Sequence, residues 1–178
     1  MPLIALKDEL PATPGAYVLV IRLRRRLRAW PGTDPQPRSG PQPGSGPVLA
    51  PGLYLYAGSA NGPGGIRARV LRHTRRNKLR HWHVDRLTGN ARVIAVAAMV
   101  GGNECKIVEA VSALPQVTVP APGFGSSDCR TCPAHLLALP PASGPNDLVA
   151  ALPGAVWWGT QPPGNCDILP SGKSETSA

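Results

Sequence analysis

The stretch GAYVLVIRL, residues 15–23, sets the reading of this chain. It follows a Pro14–Gly15 turn and is dense in β-branched and aliphatic residues, so it predicts a strand. Downstream, GLYLYA at Gly52–Ala57 predicts a second strand, apolar on both faces and therefore central in a sheet. Between the two lie the basic cluster Arg24, Arg25, Arg26 and Arg28 and then Trp30–Pro51, a Pro-, Gly-, Ser- and Gln-rich insertion with no means of building a core. After the turn-rich Gly58–Gly65 (GSANGPGG), Ile66, Val70 and Leu71 fall at helical spacing within Ile66–Lys78. Leu79–Thr88 reads as a second helical piece with Trp82 and Leu87 facing inward. Ala91–Val100 (ARVIAVAAMV) predicts a third strand, and Asn103 is placed to cap a helix from Glu104 to about Leu114. Its inward stripe is Ile107, Val108, Val111 and Leu114.

The order strand–strand–helix–strand–helix predicts an α/β fold: a small sandwich with a central three-stranded, mainly antiparallel sheet flanked by helices. Residues 1–139 form the expected domain, with the insertion at 30–51. Residues 140–178 read as a low-complexity tail, expected to be disordered, in which Trp157 and Trp158 find no role.

The chain has 178 residues, room for one domain with a core. Lys and Arg number 19 against 10 Asp and Glu, for a net charge of +9 and a pI near 10.1. That excess points to an anionic partner, of which nucleic acid is the usual one. No apolar run approaches the length needed to span a bilayer, so no membrane partner is expected. Lys7, Asp8 and Glu9 stand where a secretory signal would be apolar, so a cytoplasmic location is expected. In that compartment Cys105, Cys129, Cys132 and Cys166 are expected as thiols or metal ligands rather than disulfides.

Gly15-Ala16-Tyr17 on the first strand and Tyr56-Ala57-Gly58 on the second resemble the paired tripeptides that name the GIY-YIG nuclease superfamily. Ser59, a Gly-rich loop and Arg69-x-x-x-His73 follow, an order similar to the family's Arg and, one turn on, His or Tyr. Glu104 opens the helix after the third strand, where the family carries its metal-binding Glu. The resemblance runs from about Gly15 to Leu114. Gly125-Ser126-Ser127-Asp128-Cys129 is similar to a signature of the small stand-alone, Uri-like branch. Three features depart from the pattern: both central Ile positions are Ala, the insertion between the tripeptides is far longer than a short hairpin, and the family's late Asn has no clear counterpart after Glu104. Ser126, Ser127 and Asp128 are the candidates to stand in for that Asn.

The resemblance implies a GIY-YIG-like fold and a divalent-metal-dependent endonuclease, with Tyr17, Tyr56, Arg69, His73 and Glu104 as catalytic residues and Mg²⁺ or Mn²⁺ on Glu104. The chemistry of these side chains agrees with that role. Hydrolysis of a phosphodiester needs an activated water, charge neutralisation and help for the leaving oxygen. A carboxylate such as Glu104 can hold Mg²⁺ with water completing the shell. Tyr17 and Tyr56, on neighbouring strands and one face, can position or deprotonate a water if nearby cations help the phenol, whose ordinary pKa is about 10. Arg69 and His73, at i and i+4, share a helix face; Arg69 can grip phosphate oxygens and His73 can relay a proton. Each residue also has an ordinary reading: a strand Tyr packs, an acid in a first turn complements the helix dipole, an Arg among Args solubilises, and a His sits at the surface.

The stretch Arg67–Arg92 is dense in Lys and Arg, with Asp85 its single acid and His81, Trp82 and His83 interleaved. It reads as a phosphate-tracking surface in which Arg67, Arg72, Arg75, Arg76, Lys78, Arg80, His81 and His83 bind nucleic acid and Trp82 stacks. His81 or His83 can also complete the active site. The plainer alternative is that Trp82 is core and the charges solubilise. DNA is expected ahead of RNA, and a partner protein is an expected source of specificity. The competing classes are a non-catalytic nucleic-acid-binding module on the same scaffold and a zinc-binding interaction protein built on Cys129-x-x-Cys132-x-x-His135 with Cys105.

Overall fold

The computed structural model describes residues 8–29, 46–75, 77–79, 82–127, 129–143 and 145–159. Strand β1 (Gly15–Leu23) is buried along almost its whole length, with only Arg22 exposed. Its alternating side chains therefore face two separate cores. Tyr17, Leu19, Ile21 and Leu23 enter one, and Ala16, Val18 and Val20 enter the other. A strand buried on both faces must be interior, and β1 lies at the centre of the sheet.

β4 (Gly52–Ser59) pairs with β1 on one side and β5 (Arg92–Val100) pairs with it on the other, both antiparallel. β6 (Leu136–Leu139) adds to β4, and β7 (Val156–Gly159) adds to β5. The sheet thus has five antiparallel strands in the order β6-β4-β1-β5-β7, not the three expected from sequence. The two outer strands are four residues each. Segments that short carry too little periodicity to stand out, but they cover edges that would otherwise expose unpaired backbone.

α1 (Gly65–Thr74) and α2 (His83–Asn90) cover the Tyr17 face, burying Ile66, Val70, Val84 and Leu87. Each such aliphatic side chain contributes about 1.5–3 kcal/mol when fully buried. α3 (Glu104–Ser112) and α4 (Pro145–Ala151) cover the opposite face through Ile107, Val108, Val111 and Leu148, joined by Leu152 just after α4. Asn103 caps α3 as expected, its side chain accepting from the N–H groups of Cys105 at 2.8 Å and Lys106 at 3.3 Å.

The expected tail needs correction over residues 145–159. They hold α4 and β7, and β7 places Trp158 against one core and Trp157 against the other. Residues 160–178 lie outside the described residues. The ends of the insertion meet in a two-residue ladder, β2 (Leu27–Arg28) with β3 (Val48–Leu49). Buried Ala29 and Leu49 anchor that ladder to the core; residues 30–45 lie outside the described residues. Among the described residues no helix is long and apolar enough to cross a membrane.

Candidate active site

The antiparallel register sets Tyr17 opposite Gly58 and Leu19 opposite Tyr56. With a side-chain period of two, Tyr17 and Tyr56 become diagonal neighbours on one face. Their ring centroids lie 6.4 Å apart. Gly58 lets the Tyr17 ring lie flat across β4, because a Cβ there would fall 2.4 Å from both Cζ and the hydroxyl oxygen of Tyr17. Gly15 answers a similar demand at the start of β1, where a Cβ would fall 2.3 Å from the Met99 carbonyl oxygen. The glycines of both tripeptides therefore have steric explanations independent of any chemistry.

α1 brings His73 beneath Tyr17. The Tyr17 hydroxyl lies 2.9 Å from His73 Nε2, and the rings stack with centroids 5.7 Å apart. His73 Nδ1 lies 2.8 Å from Asp85 Oδ1 on α2. An ionised carboxylate only accepts, so Nδ1 carries the proton. Burial, the largest cause, pushes the His73 pKa below its ordinary value; Asp85 opposes this, and Lys78 and Arg72 add to it. Neutral His73 then presents a lone pair at Nε2, and Tyr17 is the donor.

Asp85 closes the chain. Its carboxylate is fully buried and accepts from Arg72 Nη1 with both oxygens, at 3.0 and 2.8 Å. It also accepts from the backbone N–H of Trp82 at 3.0 Å. A buried carboxylate persists when paired and hydrogen-bonded in this way. Sequence reading missed Asp85 as a site residue. The available signal was an acid standing alone in a basic stretch, twelve positions beyond a histidine.

Arg69 and Glu104 complete the group. The Arg69 guanidinium lies over the Trp82 ring at 4.8 Å and lowers the pKa of both tyrosines. Burial outweighs it and pushes Tyr17 well above its ordinary value, with Tyr56 and Asp85 adding to the rise. Tyr56 is also raised, by burial first and then by the charges of Asp85 and Glu104. Glu104, half-buried in the first turn of α3, therefore acts on Tyr56 through its charge. The fold brings all five residues, Tyr17, Tyr56, Arg69, His73 and Glu104, to one end of the sheet.

The expected phosphate-binding surface is revised. Arg72 is spent on Asp85 and on the Leu79 carbonyl. Arg67 donates to the Leu10 carbonyl at 2.7 Å and ties down the segment before β1. Lys78 donates to the carbonyls of His73 and Arg75 and to Thr88 Oγ1 at 2.8 Å, closing α1 and fastening it to α2. These three cations hold the protein's own backbone and side chains, which long basic stems do well when half-buried. Arg75 is exposed. His83 is half-buried, with Nδ1 accepting from the Gly125 N–H at 3.3 Å and its ring against Phe124. Trp82 is 39% exposed, so it is not the core residue of the plainer reading. Arg76, Arg80, His81 and Asp128 lie outside the described residues. Ser126 is buried and Ser127 exposed.

Apart from this group, Cys105, Cys129, Cys132 and His135 converge so that one ligand atom of each lies within 4.8 Å of all the others. Burial pushes Cys129 up, but hydrogen bonds from Thr131 and from the Cys132 and Thr131 backbone outweigh it and hold the thiol down. Cys132 is pushed up by burial and by its two cysteine neighbours. Cys166 lies outside the described residues.

No curated protein and no solved structure matches this chain. The family model described as "Domain of unknown function DUF123" matches residues 39–156, which include Tyr56, Arg69, His73, Asp85, Glu104 and the cysteine cluster; β1 with Tyr17 precedes the match. That match spans well over half of the sequence, and the chain belongs to the DUF123 domain family.

Proposed function

We propose that this domain is a GIY-YIG-type endonuclease that hydrolyses phosphodiester bonds in nucleic acid, DNA ahead of RNA, with Mg²⁺ or Mn²⁺ held on Glu104. The observation that carries this reading is the buried relay Tyr17–His73–Asp85. A tyrosine hydrogen-bonded to a histidine that is itself oriented by a buried carboxylate has the same logic as a serine–histidine–aspartate triad.

The relay offers a way around the raised tyrosine pKa. A free phenolate is disfavoured at Tyr17 because burial opposes its charge. In the proposed step, the attacking water gives a proton to the Tyr17 oxygen as that oxygen gives its own proton to His73 Nε2. The water oxygen forms the new bond to phosphorus, the bond to the leaving oxygen breaks, and that oxygen takes a proton from solvent. The positive charge reaches His73, where Asp85 stabilises it, so no full phenolate forms. Arg69, partly exposed and acting on both tyrosines through its charge, would grip the non-bridging oxygens of the phosphate.

Glu104 suits a divalent cation. It is a single hard carboxylate at the helix start, with open sites left for water and phosphate oxygens, as Mg²⁺ prefers. A cation bound there would neutralise charge developing on the phosphate. Binding is supported by the net charge of +9, by exposed Arg24, Arg25 and Arg26, and by the Trp82–Arg69 pair as a stacking surface.

Cleavage of single-stranded DNA, duplex DNA and RNA, with Mg²⁺ or Mn²⁺ and with chelator, compared between the wild type and Glu104→Ala, tests this. Metal-dependent cutting that disappears in the variant is expected. Binding without cutting, identical for both proteins, would instead favour a non-catalytic nucleic-acid-binding module.

A further inference from the structure

We propose that Cys105, Cys129, Cys132 and His135 hold a structural zinc ion that fastens the loop between α3 and β6 onto the first turn of α3. The four residues come from three places: the start of α3, a turn within the loop, and the residue just before β6. Their donor atoms already lie within 4.8 Å of one another. Cys105 Sγ and Cys129 Sγ are 3.5 Å apart. A tetrahedral zinc with Zn–S bonds of about 2.3 Å sets its sulfurs about 3.8 Å apart, so slight spreading would admit the ion.

His135 supplies an independent sign. It is only 6% exposed, and its Nε2 has no hydrogen-bond partner among the described residues. Buried imidazole nitrogens are normally satisfied, and metal coordination is one way to satisfy this ring. The turn at Cys129 is also arranged for a thiolate. The Cys132 N–H donates to Cys129 Sγ at 3.2 Å, and Thr131 Oγ1 lies 3.3 Å from the same sulfur. Three soft sulfurs and one imidazole select zinc over the hard Mg²⁺ or Mn²⁺ expected at a carboxylate.

The fold gives the ion a task. Between Leu114 and His135 the described residues are almost without regular structure; among them the one ladder contact is the isolated bridge of Thr118 to Ala138. Long irregular connections in compact domains need some other source of order. A metal shared between this loop and α3 would provide it, since ligand binding to the folded form alone is folding free energy. Cys105 directly follows Glu104, so the ion would also hold that carboxylate in place. This last consequence rests on the proposed role of Glu104; the zinc site itself does not.

Elemental analysis of the full chain, purified under reducing conditions and passed over a desalting column, is the test. One zinc per chain is expected, falling to background in Cys129→Ser and in His135→Ala. Because those variants can misfold, the wild type is also stripped and reloaded with Co²⁺. Intense sulfur-to-cobalt charge-transfer bands and strong tetrahedral visible bands are expected, bleached by added zinc. Background zinc in reduced wild type loaded with ZnCl₂, or an octahedral cobalt spectrum, would overturn the proposal. So would a thiol count and mass showing a Cys105–Cys129 disulfide. Zinc content and the cobalt spectrum are read without substrate, so an inactive protein that binds zinc would refute only the nuclease reading.

Discussion

Replacing Asp85 by Asn keeps the shape of the side chain and removes its charge. The carboxylate has zero exposure, and it accepts from Arg72 Nη1 with both oxygens, from His73 and from the Trp82 backbone. An Asn can accept with one oxygen only, and its amide would face Arg72 Nη1 in either orientation, together with His73 Nδ1–H at one position or the Trp82 N–H at the other, a donor against donors. Hydrogen bonds to charged groups are worth about 1.5–3 kcal/mol each. The guanidinium side is 29% exposed and regains some hydration, which cuts its share. The expected loss is therefore about 2–4 kcal/mol. For a domain of this size that corresponds to a fall of roughly 5–15 °C in Tm. Thermal and urea unfolding followed by circular dichroism would measure it. At a temperature where the variant stays folded, cleavage should drop by about 10²–10⁴, the usual value of a general-base device. Unchanged stability, within about 0.5 kcal/mol, would refute the buried ion network. Lost stability with full cleavage in the folded variant would leave the network structural and remove it from the chemistry.

Other consequences follow from the same geometry. Tyr17→Phe keeps the ring packed and removes the hydroxyl that donates to His73 Nε2, so cleavage should fall by about 10²–10⁴ while stability drops by only about 1 kcal/mol; comparable cleavage by both proteins would exclude Tyr17 from the relay. Gly58→Ala puts a methyl 2.4 Å from the Tyr17 ring, and should cost about 1–3 kcal/mol in urea unfolding and shift the Tyr17 ring signals in NMR spectra; a wild-type spectrum would show that the strands are not so close. His73 is held below its ordinary 6.5 by burial, so the folded state favours its neutral form. Its contribution to stability is complete above about pH 6.5 and is lost as pH falls through the lower folded value. Cleavage should decline on the same acid limb, because only neutral His73 can take the Tyr17 proton. Urea midpoints and rates between about pH 5 and 7.5, with His73→Gln as the comparison, would show this limb flattened in the variant.

Local pattern alone determined much of this fold. Residues 15–23 and 92–100 are dense in β-branched and aliphatic side chains, and both are strands at nearly the expected bounds. Ile66 and Val70 mark α1, and Asn103 marks the start of α3. A period of two put Tyr17 and Tyr56 on one face, and a period of 3.6 put Arg69 and His73 on one side of a helix, because those repeats belong to the backbone itself. Tertiary structure decided the rest. β6 and β7 are strands because the edges of β4 and β5 offer them hydrogen bonds, a demand not written into the composition of residues 136–139 or 156–159. Asp85 is a partner of His73 only because α2 packs beside α1, and that same packing turns Arg72 and Lys78 inward from the surface where a basic run would leave them. Cys105 joins Cys129, Cys132 and His135 across a gap in sequence that no spacing rule spans, since the loop between them is irregular and only the two-sided burial of the sheet returns it to α3.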